Sequence, residues 1–547
     1  AFPKKADALG IVYTPVEVDA FMLRAVDQLS RRHFGQGLTD EGVTILDPFT
    51  GTGTFIVRLL ESGLIRPEDL ARKYATEMLC NEIMLLAYYI ACVNIEATYE
   101  SVTGTSNYVP CPGATLTDTF QISEHGDRSD TSLLPANNER ITKQLATDIT
   151  VIIGNPPYSV GQASANDNNA NLGYPTLDAS IRDTYAARST ATNKNSLYDS
   201  YIRAHRWATD RLGQRGIMAF VSNGGWLDGN TAEGMRLTLQ EELSHLWIFN
   251  LRGNQRTAGE LSRREGGKIF DSGSRNTVAI TLGVKDPTHT GPATIHYRDI
   301  GDYLDRTTKL DILTTASLGD DAWNELQPNN HGDWLNQRDD TFSEFTPISE
   351  IFRSSSAGVQ TNRDAWCYNF DTAAVESNMR RMIDTYNSQA SKRLTSEADL
   401  LDDPRQIKWS SSLKPRALRG EQHSFTGVTR RALYRPFTMQ ALYFDDVFNH
   451  RPGKNRQYFP TTDSPNTGLL VIEPNTRTPF SVLASGLLPD SKTYVEAAQF
   501  FPRWTYEAGP KRSEEETLFD EEELVDGYRR IDNVTDNALL QYRDAFG

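Results

Sequence analysis

Short runs of β-branched and apolar residues recur through the first part of the chain, at 43–49, 73–79, 149–154, 216–222, 245–251, 277–284 and 293–298. Between them lie stretches with apolar residues every three or four positions, at 16–32, 54–62, 82–99 and 197–212. The first pattern predicts strands, the second amphipathic helices. Their alternation predicts an α/β fold: a mostly parallel, Rossmann-like sheet with helices on both faces. Two stretches break it. Residues 161–194 are rich in Asn, Ala, Ser and Thr, which predicts a long loop of the kind that serves function or lacks fixed structure. Residues 324–345 are polar and place a domain boundary near 340, giving one domain over 1–340 and another over 341–547. Beyond it the alternation fades into aromatic and Arg-rich segments, expected to form a mixed α+β domain.

Composition narrows the class. At roughly 150 residues per domain, 547 residues with 38% hydrophobic content allow several cores. No apolar run reaches the roughly 18 residues of a membrane span; the densest, 83–95, reads as a buried helix. Cys80, Cys92, Cys111 and Cys367 lie far apart without metal-ligand spacing. Free thiols in a reducing cytoplasm, and no metal, are the expectation. The chain opens at Ala1 rather than Met, as a piece of a longer protein would. Its net charge of −16 repels phosphate, so any nucleic-acid contact must come from local basic patches. Residues 514–526 carry acids and no base, and are expected to face solvent or another domain.

Three motifs carry chemistry. The first is Asp47-Pro48-Phe49-Thr50-Gly51-Thr52-Gly53-Thr54-Phe55, between a predicted strand and a predicted helix. Glycines at such a turn let backbone approach a ligand closely. A P-loop is excluded, because no G-K-[ST] follows. The second is a carboxylate at the end of the second strand, where ribose hydroxyls are held in doubly wound folds. Glu82 fits and Glu77 is its rival. The third is Asn155-Pro156-Pro157-Tyr158, directly after an apolar strand. The prolines fix the carbonyl of Pro156. That carbonyl and the Asn155 side-chain oxygen can both accept from one amino group, and Tyr158 offers a face for a planar base.

The order Tyr13-Thr14-Pro15, DPFTGTGTF, NPPY and then a C-terminal extension resembles the amino-methyltransferases of the γ arrangement. The resemblance implies S-adenosylmethionine as cofactor. Tyr13, Thr14, Pro15, Asp47, Phe49, Gly51, Gly53, Thr54 and Phe55 would lie at its methionine part, Glu82 at its ribose and Asp118 at its adenine. Asn155, Pro156 and Tyr158 would form the catalytic loop, with Phe270 as a second aromatic at the target base. GIVYTPVEV, NEIMLLAYYIACVNIE, NPPYSVGQASANDNN, LYDSYIRA, GGKIFDSGSRNTVAI and ALYRPF extend the likeness to the type ISP restriction-modification enzymes. These place a nuclease and a helicase-like motor ahead of a methyltransferase and a target-recognition domain. The present chain would correspond to the last two parts, and its partners would be double-stranded DNA of a specific sequence and that nuclease and motor.

Candidate DNA contacts are Arg252, Arg256, Arg263 and Arg264 in the first domain. In the second they are Arg416, Arg419, Arg430, Arg431 and Arg435, and then Arg451, Lys454 and Arg456. Most such cations contact phosphate and few read bases. Adenine-N6 methylation of DNA is the leading expectation. N4-cytosine methylation, methylation of protein glutamine or RNA, and a recognition module serving an attached motor-nuclease are the alternatives.

Overall fold

The computed structural model describes residues 14–105, 107–124, 134–157, 173–191, 193–257, 259–270, 276–473, 480–494, 496–509 and 524–546. They divide into two compact units, Ala1–Arg338 and Asp339–Gly547.

The first unit is built on a nine-stranded sheet. After helix α1 (Val16–Phe34) come β1 (Ile45–Asp47), α2 (Thr54–Glu61), α3 (Leu70–Thr76), β2 (Met78–Glu82), α4 (Leu85–Thr103) and β3 (Ala114–Leu116). They are followed by α5 (Pro135–Ala146), β4 (Val151–Gly154), α6 (Pro175–Ile181), α7 (Ser200–Arg211), β5 (Gly216–Asn223), α8 (Glu233–Glu242) and β6 (His245–Arg252). A short helix α9 (Gly259–Glu265), β7 (Val278–Lys285), β8 (Thr294–Asp299), α10 (Arg306–Thr315) and β9 (Asn324–Leu326) complete the unit. The strand order is β3-β2-β1-β4-β5-β7-β6-β8-β9. The strands from β3 to β5 run parallel, and β7 enters antiparallel between β5 and β6.

Side chains alternate across the central strands, as a period of two requires. Ile45, Val151, Ile153, Ile217 and Ala219 join a core that includes residues of α1, α2 and α4. Leu46, Ile152, Met218 and Phe220 join a second core with residues of α6, α7 and α8. Helices thus cover both faces of an α/β sheet.

Three expectations need correction. Within 161–194, expected to be a long loop, Pro175–Ile181 is an α-helix and Arg182–Ala186 continues it as a π-helix. Residues 73–79 do not form one strand: α3 runs to Thr76 and β2 begins at Met78. Leu70, Ala71, Arg72 and Lys73 are good helix formers, and tertiary bonds fix the turn. The buried Lys73 amine donates to the Val43 carbonyl at 2.6 Å and pairs with Glu77 at 2.9 Å. The helix after β2 is also not buried all round. It packs inward through Ala91, Ile95 and Tyr99 and leaves Leu85, Leu86 and Tyr89 exposed. Among the described residues no helix is long and apolar enough to cross a membrane.

The second unit has its own core, to which two four-stranded sheets contribute; a three-stranded sheet completes its β structure among the described residues. Its longest helix is α11 (Thr372–Ala390). After the short β10 (Ser356–Ala357) and β11 (Tyr368–Asn369), its longest hairpin joins β12 (Val428–Arg435) to β13 (Thr438–Phe444). Here composition indicated the class but not the elements.

Candidate cofactor and acceptor site

The glycine motif forms the turn from β1 into α2. The Thr50 amide donates to the Asn81 carbonyl at 3.0 Å and the Thr50 hydroxyl to the Asp47 carbonyl at 2.9 Å. Gly53 opens α2 at φ +91°, and a Cβ there would stand 3.2 Å from Ile95 Cγ1. Glycine therefore permits both the bend and the close approach of α4. A buried amide network braces the turn from below. Asn81 accepts from the Thr115 hydroxyl and from Gln144 Nε2, and donates to the Thr119 hydroxyl, which donates to the Pro48 carbonyl.

Glu82, the last residue of β2, holds the loop directly. Its carboxylate accepts from the Gly51 amide at 2.8 Å and the Met84 amide at 2.7 Å. Burial pushes its pKa up, against the pull of these amides. Glu77 is occupied elsewhere: it pairs with Arg72 and Lys73 and accepts from the Gly42 amide. Of the two rivals, only Glu82 stands at the loop.

Asp47 is fully buried. One oxygen accepts from the Phe49 amide at 3.1 Å, and the other has no hydrogen-bond partner among the described residues. Burial, reinforced by Glu82, raises its pKa to about 8. Asp19 in α1 is equally buried and neither of its oxygens has such a partner; burial and nearby Asp47 raise its pKa well above the carboxylate range. Buried acceptors of this kind are costly unless a donor or cation joins them. A cationic ligand would be complementary to this acid-lined, glycine-edged turn. The motif reading missed Asp19. Its signal was an Asp on the apolar stripe with Met22, Leu23 and Val26, i, i+3, i+4 and i+7 in α1.

Asp118 follows β3. One oxygen accepts from the Phe120 amide at 2.9 Å and the other from the Tyr174 hydroxyl at 2.9 Å, a partner no motif indicated. Phe49 and Phe120 pack edge to face beside it.

The acceptor motif continues β4, which pairs with β1 on one side and β5 on the other. Gly154 lies against the first motif, since a Cβ there would stand 3.0 Å from Asp47 Oδ1. The Asn155 amide nitrogen donates to the Thr14 hydroxyl at 3.1 Å. This bond ties the acceptor loop to the Thr14-Pro15 segment and sets which end of the amide points away. Pro156 is buried. Tyr13 and Tyr158 lie outside the described residues, as does part of the stretch 161–194. Phe270 is only 1% exposed, within the core that also holds Leu251 and Val278. Stacking on a target base would require uncovering that ring.

Many candidate DNA cations are engaged within their own unit. Arg252 pairs with Asp299 and Asp302, Arg264 with Asp302, and Arg263 weakly with Glu260. Arg416 and Arg419 share Glu421, Arg435 meets Asp490, and Arg456 meets Asp446. Arg430 is also engaged within its own unit. It donates to the Phe459 carbonyl, lies over the Phe459 ring, and burial lowers its pKa to about 10. Arg256, Arg431, Arg451 and Lys454 are exposed, and among the described residues no ion pair engages them. Most of the acidic segment 514–526 falls outside the described residues.

A sheet of this order, with a glycine loop after its first strand, a carboxylate closing its second and Asn-Pro-Pro after its fourth, defines a Rossmann-like methyltransferase fold. Residues 350–546 match the family described as the type ISP C-terminal specificity domain. A nuclease-deletion mutant of the type ISP restriction-modification enzyme LlaGI, in complex with a DNA substrate mimic, is 41% identical over 97% of this chain, with a TM-score of 0.80. The ATP-dependent type ISP enzyme LlaBIII bound to DNA is 36% identical over 97%, with a TM-score of 0.82. DrdV in a DNA complex is 33% identical over 99%, with a TM-score of 0.81. The chain belongs to the type ISP restriction-modification enzymes. It spans 43%, 35% and 52% of those three chains. No curated protein matches it.

Proposed function

We propose that this chain is the modification and recognition part of a type ISP enzyme and methylates adenine N6 at a specific sequence in double-stranded DNA. S-adenosylmethionine would be the donor, supplying a methyl group on a sulfonium that is already a good leaving group. The reading is carried by one juxtaposition: Asn155-Pro156 leaves β4 beside the Asp47 turn, with its amide oriented by Thr14.

In this reading Asp47, Asp19 and the Gly51–Thr54 turn receive the cationic end of the donor, and Glu82 its ribose. An adenine flipped from the duplex, at a cost of a few kcal/mol, presents its amino group to Asn155 Oδ1 and the Pro156 carbonyl. Accepting both hydrogens draws the nitrogen lone pair out of the ring. It also stabilises positive charge where that charge develops. Tyr158 stacks on the base, worth roughly 1–3 kcal/mol. Holding the two reactants in line supplies much of the rest. The unit beyond Arg338 would select the sequence, and an attached nuclease and motor would act on unmodified DNA.

Incubation of the protein with labelled S-adenosylmethionine and plasmid DNA, followed by nucleoside mass spectrometry and mapping of the label, tests the proposal. N6-methyladenine at one recurrent sequence is the expected product. N4-methylcytosine would move the assignment to the cytosine reading, which the same acceptor loop admits. Asn155→Ala should lower transfer at least 100-fold, the scale of losing an aligned transition-state partner, with an unchanged circular dichroism spectrum. Full turnover by that variant would sink the mechanism.

A further inference from the structure

The β12–β13 hairpin carries a feature that the fold does not explain. Arg435 pairs with Thr438, so Pro436 and Phe437 are the two residues of its turn. Phe437 has φ +60°. A proline followed by a residue of positive φ is the type II pattern, in which Gly or Asn is the low-cost second residue. An L-residue there costs roughly 1–2 kcal/mol. Phe437 is 88% exposed, the highest value among the exposed large apolar side chains. The position therefore carries a strained backbone and an unburied aromatic ring together, and neither stabilises the unit. Strain retained without a structural return points to function.

The surroundings indicate what the ring meets. Met439, 44% exposed, lies near it on β13, and the exposed Arg431 guanidinium touches the Met439 sulfur at 3.2 Å. Arg435 lies over the Tyr434 ring at 3.9 Å and is fixed by Asp490 at 3.0 Å, which stiffens the base of the turn. A rigid hairpin tip thus presents an aromatic blade with an apolar flank and a free cation behind it. The combination suits a stacked polyanion, in which the ring enters between bases and the cation meets phosphate.

We propose that Phe437 is a wedge that this chain inserts between neighbouring bases of its DNA, away from the methylated adenine. The inference rests on the reading of the chain as DNA-acting. The turn itself supplies a decisive variant, because Phe437→Gly relieves the backbone while removing the blade. A duplex spanning the mapped methylation site, with 2-aminopurine scanned along it, would be titrated with wild-type protein, Phe437→Gly and Phe437→Trp.

With wild type, fluorescence should rise at one step distinct from the target adenine. Phe437→Gly should lose that rise and bind the duplex about 5- to 150-fold more weakly, the range for loss of one stacked base. Its thermal midpoint should stay equal or rise, and its binding of S-adenosylmethionine should be unchanged. Phe437→Trp should keep both the rise and the affinity. Wild-type affinity in Phe437→Gly, or weaker binding together with a lower thermal midpoint, overturns the wedge while leaving the methyltransferase reading intact. A wild-type chain that binds no duplex overturns both.

Discussion

Asp47 gives the site a dependence on pH with a defined sign. Its folded pKa is about 8, against about 3.9 for an unperturbed Asp. Between those values the folded chain holds a proton that the unfolded chain has released. Its contribution to stability is therefore lost as pH rises towards 8. Two histidines, one buried and one half-buried, act in the opposite direction. Burial depresses the pKa values of His205 and His245 to about 4, so the stability they contribute is lost as pH falls from about 6.5 through 4. The two effects oppose below pH 6.5, and above it Asp47 acts without them. The thermal midpoint of the ligand-free protein should fall from pH 6.5 to 8, and Asp47→Asn should flatten that fall in a calorimetric series. A cationic donor favours the ionised carboxylate, so binding S-adenosylmethionine near pH 7 should release protons. Titration calorimetry in buffers of different ionisation enthalpy would show this, and a heat independent of buffer would refute it. The glycine loop and Glu82 could be read from the chain because such turns need particular residue types. The Thr14–Asn155 bond and the Asp118–Tyr174 contact join residues remote in sequence, and no local pattern encodes such pairings.

At the scale of elements, the loop depends on the contact between α2 and α4. Gly53→Ala would strain a backbone at φ +91° and set a methyl 3.2 Å from Ile95 Cγ1. A loss of about 2–3 kcal/mol is expected, from the left-handed penalty plus local overpacking, and chemical denaturation would measure it. Weaker binding of S-adenosylmethionine should accompany the loss, because the same turn edges the candidate pocket. The sheet was legible because its central strands are apolar runs buried on both faces. The stretch at 73–79 misled because seven residues of mixed apolar and polar character show no distinct period. Tertiary bonds to Lys73 then decided where the helix stopped. The small strands of the second unit have too few residues each to show alternation, so only their aromatic and Arg content was visible beforehand.

At the scale of the whole molecule, two units with separate cores should melt in separable steps. Differential scanning calorimetry is expected to resolve two transitions. Saturating S-adenosylmethionine should raise only the one belonging to Ala1–Arg338, because a ligand stabilises the unit that binds it. A single transition that shifts as a whole would show that the units unfold together. The cations teach a related lesson. Sequence can count arginines, but it cannot show which ones carboxylates of the same unit already hold. Arg256, Arg431, Arg451 and Lys454 are the ones left available, so their replacement should reduce the salt dependence of DNA binding more than replacement of Arg252 or Arg456.

Gly154 also bears on how this scaffold could be altered. In the proposed reading, the donor side and the acceptor side meet at Gly154, where an added Cβ would stand 3.0 Å from Asp47 Oδ1. On that reading, adapting the site to a bulkier nucleobase or a longer alkyl group would have to proceed outward from this seam. Gly154→Ala should displace the Asp47 carboxylate by a few tenths of an ångström, because the new methyl would crowd its Oδ1. That variant is a ruler for how closely donor and acceptor must be registered.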